Sequence, residues 1–183
     1  MLPKSYAHGA NSTNLLGQTL GVNFDAAAEK WGDRQALVVS HQNLRWTYKD
    51  LKMRVDAFAA GLISLGLEPG DRIGIWSQNN SEWVVTQYAT AKSGLILVNI
   101  NPAYRARELE YAINKVGCKA LILSEKFKSS NYLEMLRELA PSLSKSRPGK
   151  LAADRLKSLS HVIQIGGETA SGCFDFDEVI ELA

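Results

Sequence analysis

Short runs of β-branched and aliphatic residues alternate along this chain with longer stretches whose apolar positions recur every three or four residues. The first period belongs to strands and the second to amphipathic helices. Residues 20–30 read as a short helix that ends before Gly32-Asp33, and residues 36–39 and 43–46 read as strands joined by His41-Gln42. Thr47 followed by Asp50 supplies a hydroxyl cap and an acidic N3 residue, so a helix starts there. Its apolar positions Leu51, Val55, Phe58, Leu62 and Leu65 put one stripe on the core, and Gly66 ends it. Glu68-Pro69-Gly70-Asp71 has the composition of a type II turn, with proline presetting φ and glycine accepting the positive φ after it. A strand over 72–76 follows.

Asn79 is the expected cap of the next helix, with Glu82 closing its box; Val84, Val85, Tyr88, Ala89 and Lys92 trace its faces. Ser93-Gly94 stops it. A strand over 95–100 is broken by Asn101-Pro102, because proline removes a ladder donor and biases its predecessor away from helix. Residues 105–116 are helical with Leu109, Ala112, Ile113 and Val116 inward, and Gly117 precedes a strand over 120–124. Residues 128–140 form a helix through Tyr132, Met135, Leu136 and Leu139, ended by Pro141. Residues 142–157 read as a loop, 161–165 as a strand and 174–182 as the start of a helix. Strands taking turns with helices predict the α/β class, a mostly parallel sheet flanked by helices. Residues 1–19 form a polar leader and 20–183 one domain.

At 183 residues, 45% hydrophobic and 22% charged, the composition is that of an ordinary globular domain. The formal charge of +2 gives no reason to expect nucleic acid as a partner. Lys145, Arg147, Lys150, Arg155 and Lys157 do crowd into 142–157, yet no aromatics interleave for base stacking, so a solvated loop is expected. Cys118 and Cys173 lack paired spacing and sit beside apolar residues, as buried thiols of a reducing compartment do. His8, His41 and His161 are scattered and suggest no metal site. No apolar run approaches the ~20 residues of a membrane helix. The N-terminus holds Asn11, Asp25 and Glu29 and fits neither a secretory signal nor a transit peptide, so a cytoplasmic location is expected.

Candidate chemistry is thin. No G-x-G-x-x-G or G-x-x-x-x-G-K-[ST] occurs. Gly166-Gly167-Glu168-Thr169-Ala170-Ser171-Gly172 has small residues and hydroxyls but no lysine, and Asp175, Asp177 and Glu178 follow it, so it reads as an exposed loop. Glu108 and Glu110 diverge around a helix, while Glu134 and Glu138 share what is expected to be a solvated face. Ser5, His8 and Asp25 lack the surroundings of a nucleophile turn. Trp46, Trp76 and Trp83 are expected to pack in the core.

Several stretches nonetheless resemble one family. Trp46-Thr47-Tyr48-Lys49-Asp50-Leu51 is similar to the first core motif of the adenylate-forming superfamily. Gly70-Asp71-Arg72-Ile73-Gly74-Ile75-Trp76, with Asn79 after it, resembles the next strand and polar turn. Residues 89–102, ending in Asn99-Ile100-Asn101-Pro102, resemble the second core motif. Their continuation through Tyr104, Glu108, Leu109 and Tyr111 narrows the likeness to fatty acyl-CoA ligases, as does the leader Ser5-Tyr6-Ala7-His8-Gly9 with Leu15-Leu16-Gly17-Gln18-Thr19. Together they resemble the acyl-CoA synthetase family member 2 group and its bacterial counterparts, from about residue 5 to the end.

The resemblance implies the first subdomain of the adenylate-forming synthetase fold, in an enzyme that uses ATP, Mg2+ and CoA. Such an enzyme turns a medium- or long-chain fatty acid into an acyl-adenylate and then a thioester. The family's phosphate loop ending in Pro-Lys, its adenine- and magnesium-binding motif, its ribose-binding Asp and its lid lysine find no counterpart here. No catalytic, cofactor-binding or metal residue is therefore carried over, and no cofactor is expected for this stretch alone. Asn101, Pro102 and Tyr104, at a strand's C-terminal end, are given at most a supporting role. The apolar start of a helix at Phe174, Phe176, Val179 and Ile180 suggests a truncated domain with an exposed apolar docking or self-association surface. A non-catalytic interaction module is the rival expectation, and animal relatives would place the protein in the mitochondrial matrix instead of the cytoplasm.

Overall fold

The computed structural model describes residue 9, residue 12 and residues 15–183. Ser5 and His8 lie outside the described residues. The chain begins with helix α1 (Leu20–Trp31), the hairpin strands β1 (Gln35–Val39) and β2 (Leu44–Thr47), and helix α2 (Tyr48–Ser64). There follow β3 (Arg72–Trp76), α3 (Ser81–Ser93), β4 (Ile96–Asn99), α4 (Ala106–Val116) and β5 (Cys118–Ser124). A small ladder of β6 (Lys126–Phe127) with β7 (Ser130–Asn131) leads into α5 (Tyr132–Leu139), and the chain closes with β8 (His161–Ile165), β9 (Phe174–Asp175) and α6 (Phe176–Glu181).

The main sheet is five-stranded and parallel, in the order β4-β3-β5-β8-β9. Its central strands are buried on both faces, which is why 118–124 and 161–165 read as near-continuous apolar runs. Ile73, Ile75, Ala120, Ile122, Ile163 and Ile165 face one cluster with α1, α2, α3 and α6. Leu121, Leu123, Val162 and Trp76 face the opposite cluster with α4 and α5. The period of two thus sorts each strand between two cores.

Local signals act as expected at several points. Thr47 and Asp50 form a complete capping box, and Gly70, at φ 91°, lets the Asp71 N–H donate to the Glu68 carbonyl. Four ion pairs join α1 to α2 and α3: Asp25 and Asp56 each meet both Lys52 and Lys92.

Some expectations require correction. Asn80, not Asn79, caps α3 by accepting from the Trp83 N–H, and Glu82 turns instead to Gln42 and Ser81. The helix expected over 128–140 starts only at Tyr132, because Lys128 sits at φ 53° and Asn131 takes the cap. Residues 142–157 are not merely solvated: Leu143, Leu151 and Leu156 are buried in the α4–α5 core, and Arg155 pairs with Glu110. Val116, expected inward, is 39% exposed.

Candidate functional site

Counted in chain order, the five parallel strands lie as 2-1-3-4-5, which places a topological switch point between β3 and β5. The connection from β3 to β4 runs along the sheet one way with α3 over one face. Those from β4 to β5 and from β5 to β8 run the other way, with α4 and α5 over the opposite face. Loops leaving the C-terminal ends of β3 and β5 therefore diverge, and ligands of open α/β sheets bind in such crevices.

Ser77 and Ser124 stand at this point, both buried, with hydroxyls 2.7 Å apart across the strands. Asn80 Nδ2 donates to Ser77 Oγ at 3.0 Å while its Oδ1 caps α3. The same small network thus joins β3, β5 and α3. Gln78 Oε1 is closed off from solvent and has no hydrogen-bond partner among the described residues, an open acceptor beside the crevice.

Next along the rim, Asn101 and Pro102 leave β4 in a tight turn. The Tyr104 N–H donates to the Asn101 carbonyl at 3.0 Å, and the Ala103 N–H donates to Asn101 Oδ1 at 2.9 Å. Trp76 Nε1 also donates to the Asn101 carbonyl, and the Tyr132 hydroxyl donates to the Pro102 carbonyl. Burial pushes the Tyr132 phenol up from its ordinary pKa, so it keeps its proton. Outward from the turn, Tyr104, Arg107, Glu108 and Tyr111 line an open cavity of about 340 Å3 on α4.

An anion needs free N–H groups at a helix start, and at five of the six described helices side chains already take N–H groups of the first turn. Thr19 accepts from Val22 N–H at α1, and Asp50 and Thr47 exchange bonds at α2. At α3, Gln42 Oε1 accepts from the Ser81 N–H and Asn80 from Trp83. At α4 Glu108 accepts only the N–H of the cap residue Arg105, while Asn131 accepts that of Glu134 at α5 and Asp175 those of Asp177 and Glu178 at α6. Among the described residues no three His, Cys, Asp or Glu side chains come together as a metal site.

The other sequence candidates scatter. Asp25 belongs to the α1–α2 ion network, where the Lys92 ammonium holds its carboxyl below the usual range. Glu110 pairs with Arg155, and Glu134 and Glu138 are exposed. Gly166, Gly167, Glu168 and Thr169 are exposed as expected, with Gln164 Nε2 donating to the Gly166 and Glu168 carbonyls. Cys118 and Cys173 are buried, and desolvation pushes both thiols up to about 11. Trp76 is fully buried, while Trp46 and Trp83 pack at the edge of the first core. Sequence reading passed over Ser77, Ser124 and Tyr132. Their one visible signal is position, immediately after or between apolar runs.

The model of the AMP-binding enzyme family matches residues 24–169. The medium-chain acyl-CoA ligase ACSF2, mitochondrial, of Bos taurus is 45% identical over 176 residues, which are 96% of this chain and 28% of that protein. This chain therefore spans little more than a quarter of that relative's length. Acetoacetyl-CoA synthetase from Streptomyces lividans superposes with a TM-score of 0.74 at 25% identity, over 88% of this chain and 25% of that one. A long-chain-fatty-acid-CoA ligase from Archaeoglobus fulgidus gives 0.73 at 22% identity, over 98% and 33%, and shows the same fold.

Proposed function

Because the chain belongs to the AMP-binding enzyme family, we propose that it forms the N-terminal, sheet-building part of a fatty acid–CoA ligase. Such a ligase activates a carboxylate by joining it to the AMP of ATP, releases pyrophosphate, and passes the acyl group to the CoA thiol. A carboxylate is a poor electrophile until its oxygen is esterified, so the chemistry rests on positioning and on stabilising phosphate charge. We assign no residue of this chain a direct part in that chemistry; residues 20–183 supply the scaffold. The 183 residues alone do not adenylate. One observation carries this reading: at α1, α2, α3, α5 and α6 side chains of the chain itself already take first-turn N–H groups that a phosphate would need.

Support for a medium-chain substrate comes from the name of the Bos taurus relative, and the same name supports a mitochondrial location over the cytoplasm. No helix among the described residues is long and apolar enough to cross a membrane. Ile63 on α2 and Leu182 just after α6, 55% and 49% exposed, support docking of further polypeptide there. The test is direct. Purified chain is incubated with Mg-ATP, octanoate and CoA, and pyrophosphate and acyl-AMP are measured. No product is expected, and joining the chain to the remaining three quarters of an ACSF2 relative should restore thioester formation. Acyl-AMP from the chain alone overturns the proposal, and so does a correctly folded chimera that makes none.

A further inference from the structure

Two buried aromatic side chains from different elements converge on one turn, and we infer that Trp76 and Tyr132 are positioning residues for it. Trp76 ends β3 and Tyr132 begins α5; both are fully buried, and their rings stack at 3.9 Å with 21° between planes. Each directs its only polar side-chain atom at a backbone carbonyl of the turn after β4. The indole N–H meets Asn101 at 3.2 Å and the phenol meets Pro102 at 2.6 Å.

The turn closes by its own bonds, since Asn101 already receives the Tyr104 N–H at its carbonyl and the Ala103 N–H at its side chain. Asn101, Ala103 and Tyr104 are exposed while Pro102 is half-buried, so the turn faces solvent on its outer side and the two buried aromatic donors on its inner side. The two donors therefore anchor a turn that its own bonds already close. What they add is orientation: the consecutive carbonyls of Asn101 and Pro102, just ahead of Tyr104, are tied to the stacked pair. Tyr104 is one wall of the cavity it shares with Arg107, Glu108 and Tyr111. A binding wall built on a loop has to be held by the rigid elements beneath it. The pair supplies that support from a strand and a helix together. This inference rests on the reading that the sheet's C-terminal rim faces the reacting molecules of a ligase.

The experiment is residue-resolved amide hydrogen exchange on the chain with Tyr132→Phe, which keeps the ring stack and removes one hydroxyl. The Ala103 and Tyr104 amides should exchange on the order of tenfold faster, the equivalent of one lost net hydrogen bond. Amides of α5 and β4 should keep their parent rates. Trp76→Phe, if it folds, should act on the same two amides. Unchanged exchange at Ala103 and Tyr104 in Tyr132→Phe sinks the inference, and so does an acceleration shared by all of α5, which is ordinary packing loss. Exchange requires no turnover, so failure here leaves the ligase proposal standing, and acyl-AMP made by the chain alone leaves this one standing.

Discussion

A close backbone approach between α2 and α6 makes the most demanding prediction of this fold. Gly61 lies on α2 where α6 crosses, and a Cβ built there would stand 1.9 Å from the Val179 carbonyl oxygen and 2.9 Å from its carbon. Both are backbone atoms, so no side-chain rotation relieves the clash. Ordinary contact begins at 3.4 Å, and α6 would have to retreat by about 1.5 Å for Gly61→Ala to be accommodated. Helix propensity alone favours alanine by about 1 kcal/mol in a helix interior. Against it stands the packing that α6 contributes: Phe176, stacked on Phe58 at 4.1 Å, and Val179, fully buried. Overpacking costs about 1–3 kcal/mol where the elements shift and stay together. Full detachment of α6 would expose both side chains, at about 1.5–3 kcal/mol each. Less the propensity gain, the loss is up to about 2 kcal/mol if the helices shift together and about 2–5 kcal/mol if α6 detaches. With both backbone contacts immovable the latter is expected, lowering the melting midpoint by roughly 4–20 °C for a chain of this size. Thermal unfolding followed by far-UV circular dichroism measures it, with Phe176→Ala as a reference for loosening α6 alone. A midpoint equal to or above the parent's would refute the close approach and with it the packing of α6 on α2.

Two further perturbations probe other links of the structure. Asn80→Ala should cost about 1–2 kcal/mol in urea unfolding through loss of the α3 cap. Asn79→Ala, on an exposed residue, should stay within about 0.5 kcal/mol, and equal effects would contradict the observed cap. Burial lowers the pKa of His161, whose Nε2 donates to the Leu65 carbonyl and whose Nδ1 meets Ser160 Oγ. The unfolded chain then takes up a proton below pH 6.5 before the folded one does, so stability is full above that pH and falls as acidity increases through the lowered value. Urea midpoints at pH 7.5 and 5.5 should show the drop, and His161→Gln should flatten it; equal slopes for the two proteins would refute it.

The architecture was legible because its signals are local and redundant. Residues 120–123, and more briefly Val162-Ile163, announce doubly covered strands by being apolar at successive positions, and Thr47 with Asp50 announces a helix start within four residues. Where two local signals competed, tertiary contacts decided. Asn79 and Asn80 are equally good caps by residue type. Asn80 wins because its Nδ2 also reaches Ser77 while Gln42, from the β1–β2 connection, holds the Ser81 N–H. Residues 128–131 lie next to a helical apolar pattern, yet Glu125 accepts the Tyr132 and Leu133 N–H groups and fixes the helix start four residues late. The leucines of 142–157 were obscured by the basic residues between them, since a charged run reads as solvated until the face beneath it is known.

The rim was harder to read for a physical reason. Ser77 and Ser124 are 47 residues apart, and Trp76 reaches Asn101 across 25. Neither contact leaves a periodicity or a spacing motif, because each depends on parallel register: Trp76 lies opposite Leu123 on β5, and Ile75 opposite Asn99 on β4. A parallel sheet aligns the strand ends, so residues just beyond those ends become neighbours whatever their separation in the chain. Function at such an edge is set by strand order, and order is a property of the crossovers. The resemblance of residues 46–51, 70–76 and 89–102 to one family supplied what periodicity could not. Those three segments hold a helix cap, a central strand and the turn that Trp76 and Tyr132 tie down. The three segments that carry the resemblance therefore coincide with elements that fix the geometry of the rim.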